Sequence, residues 1–101
     1  MTEMKQFGLD VSLSEEVAQG HYSNLAIISH SSSEFIVDFA TVLPGVDKAH
    51  VKSRIILTPE HAKRLLRSLQ DNIVRYESTM GKIEIPSPQP TPEAGPKMGE
   101  A

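Results

Sequence analysis

Apolar residues recur with a period of two through the middle of the chain, and this period is typical of β-strands with two distinct faces. Two such runs cover residues 34–42 and 50–57, and a third apolar run lies within residues 17–29. The polar segment 29–33 and a Pro-Gly turn signal at residues 44–45 separate them. Three strands with short connections predict an antiparallel meander. The face of residues 34–42 that carries the phenylalanines is the better candidate for the core.

The period changes to that of an α-helix after residue 57. Thr58, Pro59 and Glu60 provide a side-chain cap, a fixed φ and an acidic first turn, and Gly81 supplies a stop. The apolar residues between them are spaced 4, 3, 4, 3 and 4 apart, and Leu65 widens their stripe. They are Ala62, Leu66, Leu69, Ile73, Tyr76 and Met80. At about 1.5 Å per residue, this helix is roughly 33 Å long, which is enough to lie along the whole sheet.

These elements predict an α+β domain, a three- to four-stranded antiparallel meander followed by one long C-terminal helix packed on the sheet. The domain covers residues 15–82. Residues 1–14 show no period and are predicted to be a flexible N-terminal arm. Residues 83–101 hold five of the seven prolines. We predict a disordered Pro-rich tail there, because proline removes backbone donors and few large apolar side chains remain to be buried.

The size of this domain predicts that it needs a partner. A single core of this size, without disulfides, seldom supplies more than about 3–5 kcal/mol. The helix covers one face of the sheet, yet the other face is also apolar, and a second copy would cover it. We therefore expect a homo-oligomer, formed through that face, a strand edge or the helices; folding of the arm and residues 17–25 over the face is the alternative. The predicted core residues are Phe35, Phe39, Leu66, Leu69 and Ile73.

One charged pair stands within the second apolar face. If the hairpin centres near residue 46, Asp38 and Arg54 lie opposite each other on neighbouring strands. A charge among apolar groups is costly unless it is paired, so we interpret the pair as fixing strand register or an oligomer interface. A catalytic or ligand-binding carboxylate is the alternative. Tyr76 has a ring and a hydroxyl that suit an interface. The interface candidates are therefore Ile36, Asp38, Arg54, Ile56 and Tyr76.

The net charge of −3 hides an asymmetry. Residues 1–47 carry one basic and seven acidic side chains, whereas residues 48–82 carry eight basic and three acidic ones. This favours pairing within the chain or between copies, although the basic helix face could meet another acidic partner. Scarce aromatic residues and the lack of a recognition motif disfavour nucleic acid. The absence of a leader or a long apolar run predicts a cytoplasmic protein without a membrane partner.

The sequence offers little for catalysis. His21, His30, His50 and His61 do not fall at the spacing of metal ligands on one helix. The chain has no cysteine, no Gly-rich phosphate loop and no serine in a nucleophile elbow. We therefore expect no metal, no cofactor and no enzymatic activity. A hydrolase or metal enzyme that uses the histidines is the alternative from the enzyme class.

Three stretches resemble a small bacterial family, the domain of unknown function 3467. They are Glu-Phe-Ile-Val-Asp-Phe at residues 34–39, Ser-Arg-Ile-Ile-Leu-Thr-Pro-Glu-His-Ala-Lys at 53–63 and Asn-Ile-Val-Arg-Tyr-Glu at 72–77. The resemblance covers about residues 16–83 and implies a fold and a bacterial source, but no activity.

More distantly, the order of strands and final helix is similar to that of the export chaperone SecB, which holds unfolded chains on apolar grooves. The present chain is one strand shorter and lacks the aromatic-rich grooves of SecB. The leading hypothesis is a non-enzymatic oligomeric protein-binding or adaptor protein, and a SecB-like holdase is the alternative.

Overall fold

The structure is a computed structural model that describes residues 8–86 and the backbone of residues 2–6. Its elements in chain order are β1 (Thr2–Gln6), β2 (Leu9–Leu13), α1 (Glu15–Ala18), β3 (Leu25–His30), β4 (Phe35–Thr41), β5 (His50–Leu57) and α2 (Pro59–Met80). The strands β3, β4 and β5 form one antiparallel sheet in that order, and β1 pairs with β2 in a separate hairpin. The predicted α+β fold, a three-stranded antiparallel meander followed by a long helix, is confirmed.

The N-terminal region is more regular than the sequence predicted. The expected loose arm contains the β1–β2 hairpin, and Gly8, which directly precedes β2, has a φ of +74°. Ser14 then caps α1 by accepting a hydrogen bond from the Val17 amide at 3.2 Å. The apolar run within residues 17–29 therefore begins as a helical turn, and its strand begins only at Leu25. The predicted tail lies mostly outside the described residues, which end at residue 86.

Both connections within the sheet form at the predicted places. The Ser31 amide donates to the Glu34 carbonyl at 2.9 Å and closes the β3–β4 turn. Before β5, the Val46 amide donates to the Leu43 carbonyl at 3.3 Å. Gly45 has a φ of +79°, as the third position of a type II turn after proline requires.

A β-bulge changes the faces of β5. Phe39 pairs with Ser53 but Ala40 pairs with Val51, so Lys52 is an extra residue in β5. Strict alternation along β5 would place Val51 on the face of Ser53, and the bulge moves it to the opposite one. We call the two sides the Asp38 face and the Phe39 face. The Asp38 face carries Leu25, Ile27, Ile36, Asp38, Ala40, Val51, Arg54 and Ile56, and the Phe39 face carries Ala26, Ile28, Phe35, Val37, Phe39, Ser53, Ile55 and Leu57.

The bounds of α2 follow from its caps. The Thr58 hydroxyl accepts a hydrogen bond from the His61 amide at 3.1 Å, and Pro59 occupies the first turn. At the other end, the Gly81 amide donates to the Glu77 carbonyl at 3.1 Å, and Gly81 has a φ of +98°. The predicted start and stop are both confirmed.

The core is smaller than predicted and lies in the sheet alone. Its buried residues are Leu25, Val37, Asp38 and Ala40, and three of these lie on the Asp38 face. Phe35 and Phe39 are half-buried. The helical residues predicted for the core are exposed, with Leu66 52%, Leu69 55% and Ile73 38% exposed.

The prediction that α2 packs on the sheet is therefore wrong for a single copy. No residue of α2 is buried, and the helix meets the sheet chiefly at β5, the strand that it follows. The reason lies in the connection, since only Thr58 separates β5 from α2 and it is extended. A helix that returns over the preceding strand usually needs a connection of about two to six residues.

Candidate interface site

The central strand β4 places a carboxylate in the middle of the Asp38 face. Asp38 lies opposite Ile27 of β3 on one side and opposite Arg54 of β5 on the other. Because β4 is flanked on both sides, Asp38 is only 9% exposed. The predicted pairing of Asp38 with Arg54 is confirmed.

The ion pair is bidentate. Arg54 Nε donates to Asp38 Oδ1 at 2.7 Å, and Arg54 Nη2 donates to Asp38 Oδ2 at 2.8 Å. Such a fork is stronger and more directional than a single contact. The two partners differ in exposure, because the Asp38 side chain is 13% exposed and that of Arg54 is 60% exposed. The outer N–H groups of the guanidinium can therefore reach a partner laid on this face.

The electrostatics favour the ionised pair. Hydrogen bonds from Arg54 hold the pKa of Asp38 below its ordinary value, burial opposes this shift, and the positive charge adds to it. The hydrogen bonds to Asp38 and its negative charge raise the pKa of Arg54. A carboxylate with a lowered pKa and both oxygens bonded is a poor proton shuttle at neutral pH. This arrangement favours the structural interpretation of the pair over a catalytic one.

Four of the five predicted interface residues come together. Ile36 pairs with Ile56, and this pair lies two residues along the strands from the pair of Asp38 and Arg54. Ile56 is 59% exposed. Tyr76 is not part of this cluster. It lies seventeen residues after the start of α2, roughly 25 Å along the helix at about 1.5 Å per residue, and is 52% exposed. The structure thus offers two separate apolar surfaces, the exposed β5 side of the Asp38 face and the apolar stripe of α2, which we call the α2 seam. The α2 seam consists of Ala62, Leu66, Leu69, Ile73, Tyr76 and Met80.

Sequence reasoning missed a polar clamp at the start of β3. Asn24 Nδ2 donates to the Val42 carbonyl at 3.0 Å, and the Val42 amide donates to Asn24 Oδ1 at 2.7 Å. The Ser23 hydroxyl donates to the Ala40 carbonyl at 2.9 Å, and the Thr41 hydroxyl donates to the Tyr22 carbonyl at 2.7 Å. The side-chain amide of Asn24 takes the place of a backbone peptide group in the hydrogen bonding between β3 and β4, and it therefore fixes where β3 begins. The signal was the polar Ser-Asn pair directly before the apolar run.

An open depression of about 700 Å³ lies beside this clamp, between α1 and the Phe39 face. It is lined by Val17, His21, Leu25, Phe39 and neighbouring small and polar residues, and His21 is the single titratable side chain in this lining. His30 lies at the end of β3, not in the loop that the sequence suggested, and its ring stacks on Phe35 at 5.3 Å. Among the described residues, no three His, Asp or Glu side chains come together as metal ligands.

The fold and these surfaces define a small α+β protein with a three-stranded antiparallel sheet and a long helix after it, whose apolar seam no described residue buries. Neither of the described helices combines the length and the hydropathy needed to cross a bilayer. Residues 1–85 match the family described as "Protein of unknown function (DUF3467)", and the chain belongs to this family. Comparison with curated proteins and with solved structures gave no match. The bacterial source and the likeness to SecB stay predictions.

Proposed function

We propose that this is a non-enzymatic, homo-oligomeric protein of the cytoplasm that acts by binding proteins, as an adaptor. One observation carries the proposal. The 22 residues of α2 include a continuous apolar seam, and none of them is buried. Leu66, Leu69 and Tyr76 are each more than half exposed.

Energetics support the proposal. Ordering each residue costs about 1–2 kcal/mol of backbone entropy, which is offset mainly by apolar burial. The described chain buries only three apolar side chains, Leu25, Val37 and Ala40. Ile56 on the Asp38 face and the apolar residues of the α2 seam are exposed, and contiguous exposed apolar surfaces mark protein contacts. A second copy of the chain is a partner that is always present, and its concentration equals that of the chain itself.

The Asp38 face suits the second part of the proposal, contact with another protein. Its apolar residues surround a guanidinium that keeps outer donors for a carboxylate or carbonyl group. Interface anchors commonly combine apolar contact with arginine in this manner. The proposed partners are therefore another copy and another protein, with neither nucleic acid nor membrane among them.

The experiment is the mass of the full chain in solution. We expect light scattering coupled to gel filtration, at micromolar concentrations, to give a multiple of 11.1 kDa. Sedimentation velocity over a dilution series then distinguishes a tight oligomer from an exchanging one. A mass of one chain at every concentration would contradict the proposal.

A SecB-like holdase is the second candidate. The observation that favours it is the coexistence of two exposed apolar surfaces, the β5 side of the Asp38 face with Val51 and Ile56, and the α2 seam, which an extended client could contact together. We expect a holdase to suppress aggregation of a thermally unfolded client, and Ile56→Ser to weaken that effect. No suppression at several-fold molar excess removes this candidate and leaves the oligomeric adaptor in place.

A further inference from the structure

The apolar seam of α2 is a continuous heptad pattern. Alternating spacings of four and three place Leu66, Ile73 and Met80 at positions a and Ala62, Leu69 and Tyr76 at positions d. Every member except Ala62, which is half-buried, is exposed. This seam has the geometry of a coiled-coil strand, and the described part of the chain holds no second helix long enough to pair with it.

We propose that a second copy of this chain covers the seam, and that the two α2 helices form an antiparallel coiled coil. The proposal rests on the proposed homo-oligomer and names its contact surface. Two features of the helix, the order of side-chain sizes along the seam and the charges beside it, select the second copy and the antiparallel direction.

The sizes of the seam residues match in the antiparallel direction. With the helices centred on residue 71, each a residue meets a d residue of the second copy. The layers are Ala62 with Met80, Leu66 with Tyr76 and Leu69 with Ile73, and each occurs twice. The smallest side chain thus meets a long, flexible one at both ends, which fills space evenly. A parallel pair would instead place Ala62 against Ala62 and Tyr76 against Tyr76.

The charges beside the seam select the same direction. The e positions are Lys63, Gln70 and Glu77, and in an antiparallel pair e positions face e positions. Lys63 then meets Glu77 of the second copy twice, and Gln70 meets Gln70 on the symmetry axis. In a parallel pair, g residues face e residues, and Asn72 rather than a cation would meet Glu77. Opposite charges at these positions specify partner and orientation.

In a single copy, the charged groups of Lys63 and Glu77 are both available for this contact. Lys63 is exposed and takes part in no ion pair within the described residues, whereas Arg64 on the outer side is bonded to Glu60. Glu77 is half-buried, and its Oε2 accepts a hydrogen bond from the Ile83 amide at 3.0 Å. This bond fixes the carboxylate at the end of the helix, and a carboxylate can accept further bonds.

A charge exchange on the full chain tests the proposal. Lys63→Glu and Glu77→Lys each bring like charges together twice, so each alone should weaken self-association about tenfold. The double variant restores both pairs and should return to the affinity of the unchanged chain, and a mixture of the single variants should prefer heterodimers. Arg67→Glu and Asp71→Lys, on the outer side of α2, are matched controls that should leave self-association unchanged. Circular dichroism checks that the helix content is kept.

Cysteine pairing gives an independent measure of direction, because the chain has no cysteine. A mixture of Ala62→Cys and Met80→Cys should form the mixed disulfide, while Ala62→Cys alone should not cross-link. A chain that is monomeric before any substitution overturns both this proposal and the proposed function. An oligomer insensitive to the Lys63 and Glu77 reversals, or one without rescue in the double variant, overturns the antiparallel helix pair and leaves the proposed oligomer standing on another surface.

Discussion

The central strand of the sheet is held from both sides, whereas α2, in the described part of the chain, meets the sheet chiefly at β5 and is stabilised mainly by its own hydrogen bonds and caps. Asp38 has Ile27 on one flank and a bidentate arginine on the other, and three of its near neighbours along the sheet are buried. The helix satisfies its amides and carbonyls internally and caps both ends, yet it buries no side chain. Local signals are therefore sufficient to make an element, but burial requires a second surface. Within the sheet, neighbouring residues cover part of β3 and β4, whereas no described element buries a residue of α2.

The largest effect should come from the seam. Leu69→Ser removes two apolar side chains from a pair of helices, each of which contributes about 1.5 kcal/mol or more on burial, so self-association should weaken about a hundredfold. Sedimentation equilibrium measures the dissociation constant. Val74→Ser, at an apolar position off the seam that is at least as exposed as Leu69, serves as the control. Equal losses in both variants would show that the effect is general hydrophobicity and not the seam.

A smaller loss is expected in the sheet. Leu25→Ala removes a buried side chain at the start of β3 and should lower the free energy of unfolding by about 2 kcal/mol, with the dissociation constant unchanged. Urea unfolding at several protein concentrations separates the two quantities. A change in association without a change in stability would break the distinction between the two regions.

The ion pair should matter less than the core but more than a surface contact. Asp38→Asn leaves Arg54 without its carboxylate, so the melting temperature should fall. Glu60→Gln, which removes the exposed contact with Arg64 on α2, should have almost no effect because such pairs contribute little. Unchanged melting and unchanged oligomer size in Asp38→Asn would contradict the structural role of the pair.

The smallest effect is a pH dependence. Since the folded state lowers the pKa of Asp38, its stabilisation is complete above the pKa of the unfolded chain, about 4, and is lost as pH falls through the lower folded pKa. The difference in stability between the unchanged chain and Asp38→Asn should therefore be constant near neutrality and shrink in acid. Thermal melts of both chains from neutral to acidic pH measure it. A difference that grows in acid would contradict the assigned sign.

The parts of the fold that were predictable depend on neighbouring residues. Thr58, Pro59 and Gly81 each act within one turn of a helix, so the bounds of α2 could be read directly. The Asp38–Arg54 pairing followed from the Pro-Gly turn because a hairpin centre fixes register. The site's charged residues were therefore predictable as a pair.

The parts that were not predictable depend on longer range. The bulge at Lys52 breaks the alternation that the face assignment relied on, and the reciprocal bonds of Asn24 with Val42 join residues far apart in the chain. The β1–β2 hairpin was missed although Leu9–Leu13 alternates apolar and polar residues along its whole length, because one short alternating run does not by itself show which strand it pairs with. The position of α2 was missed because periodicity states which face is apolar, not what covers it.

The bulge at Lys52 has a consequence for aggregation. In the described sheet β5 is an edge strand, and its outer backbone groups could template another strand. An extra residue interrupts the regular repeat of those groups, and a lysine at that point adds a charge that an incoming strand would have to bury. The β5 edge is therefore a poor template for fibril growth, which lets this side of the sheet keep apolar surface with less risk of recruiting further strands.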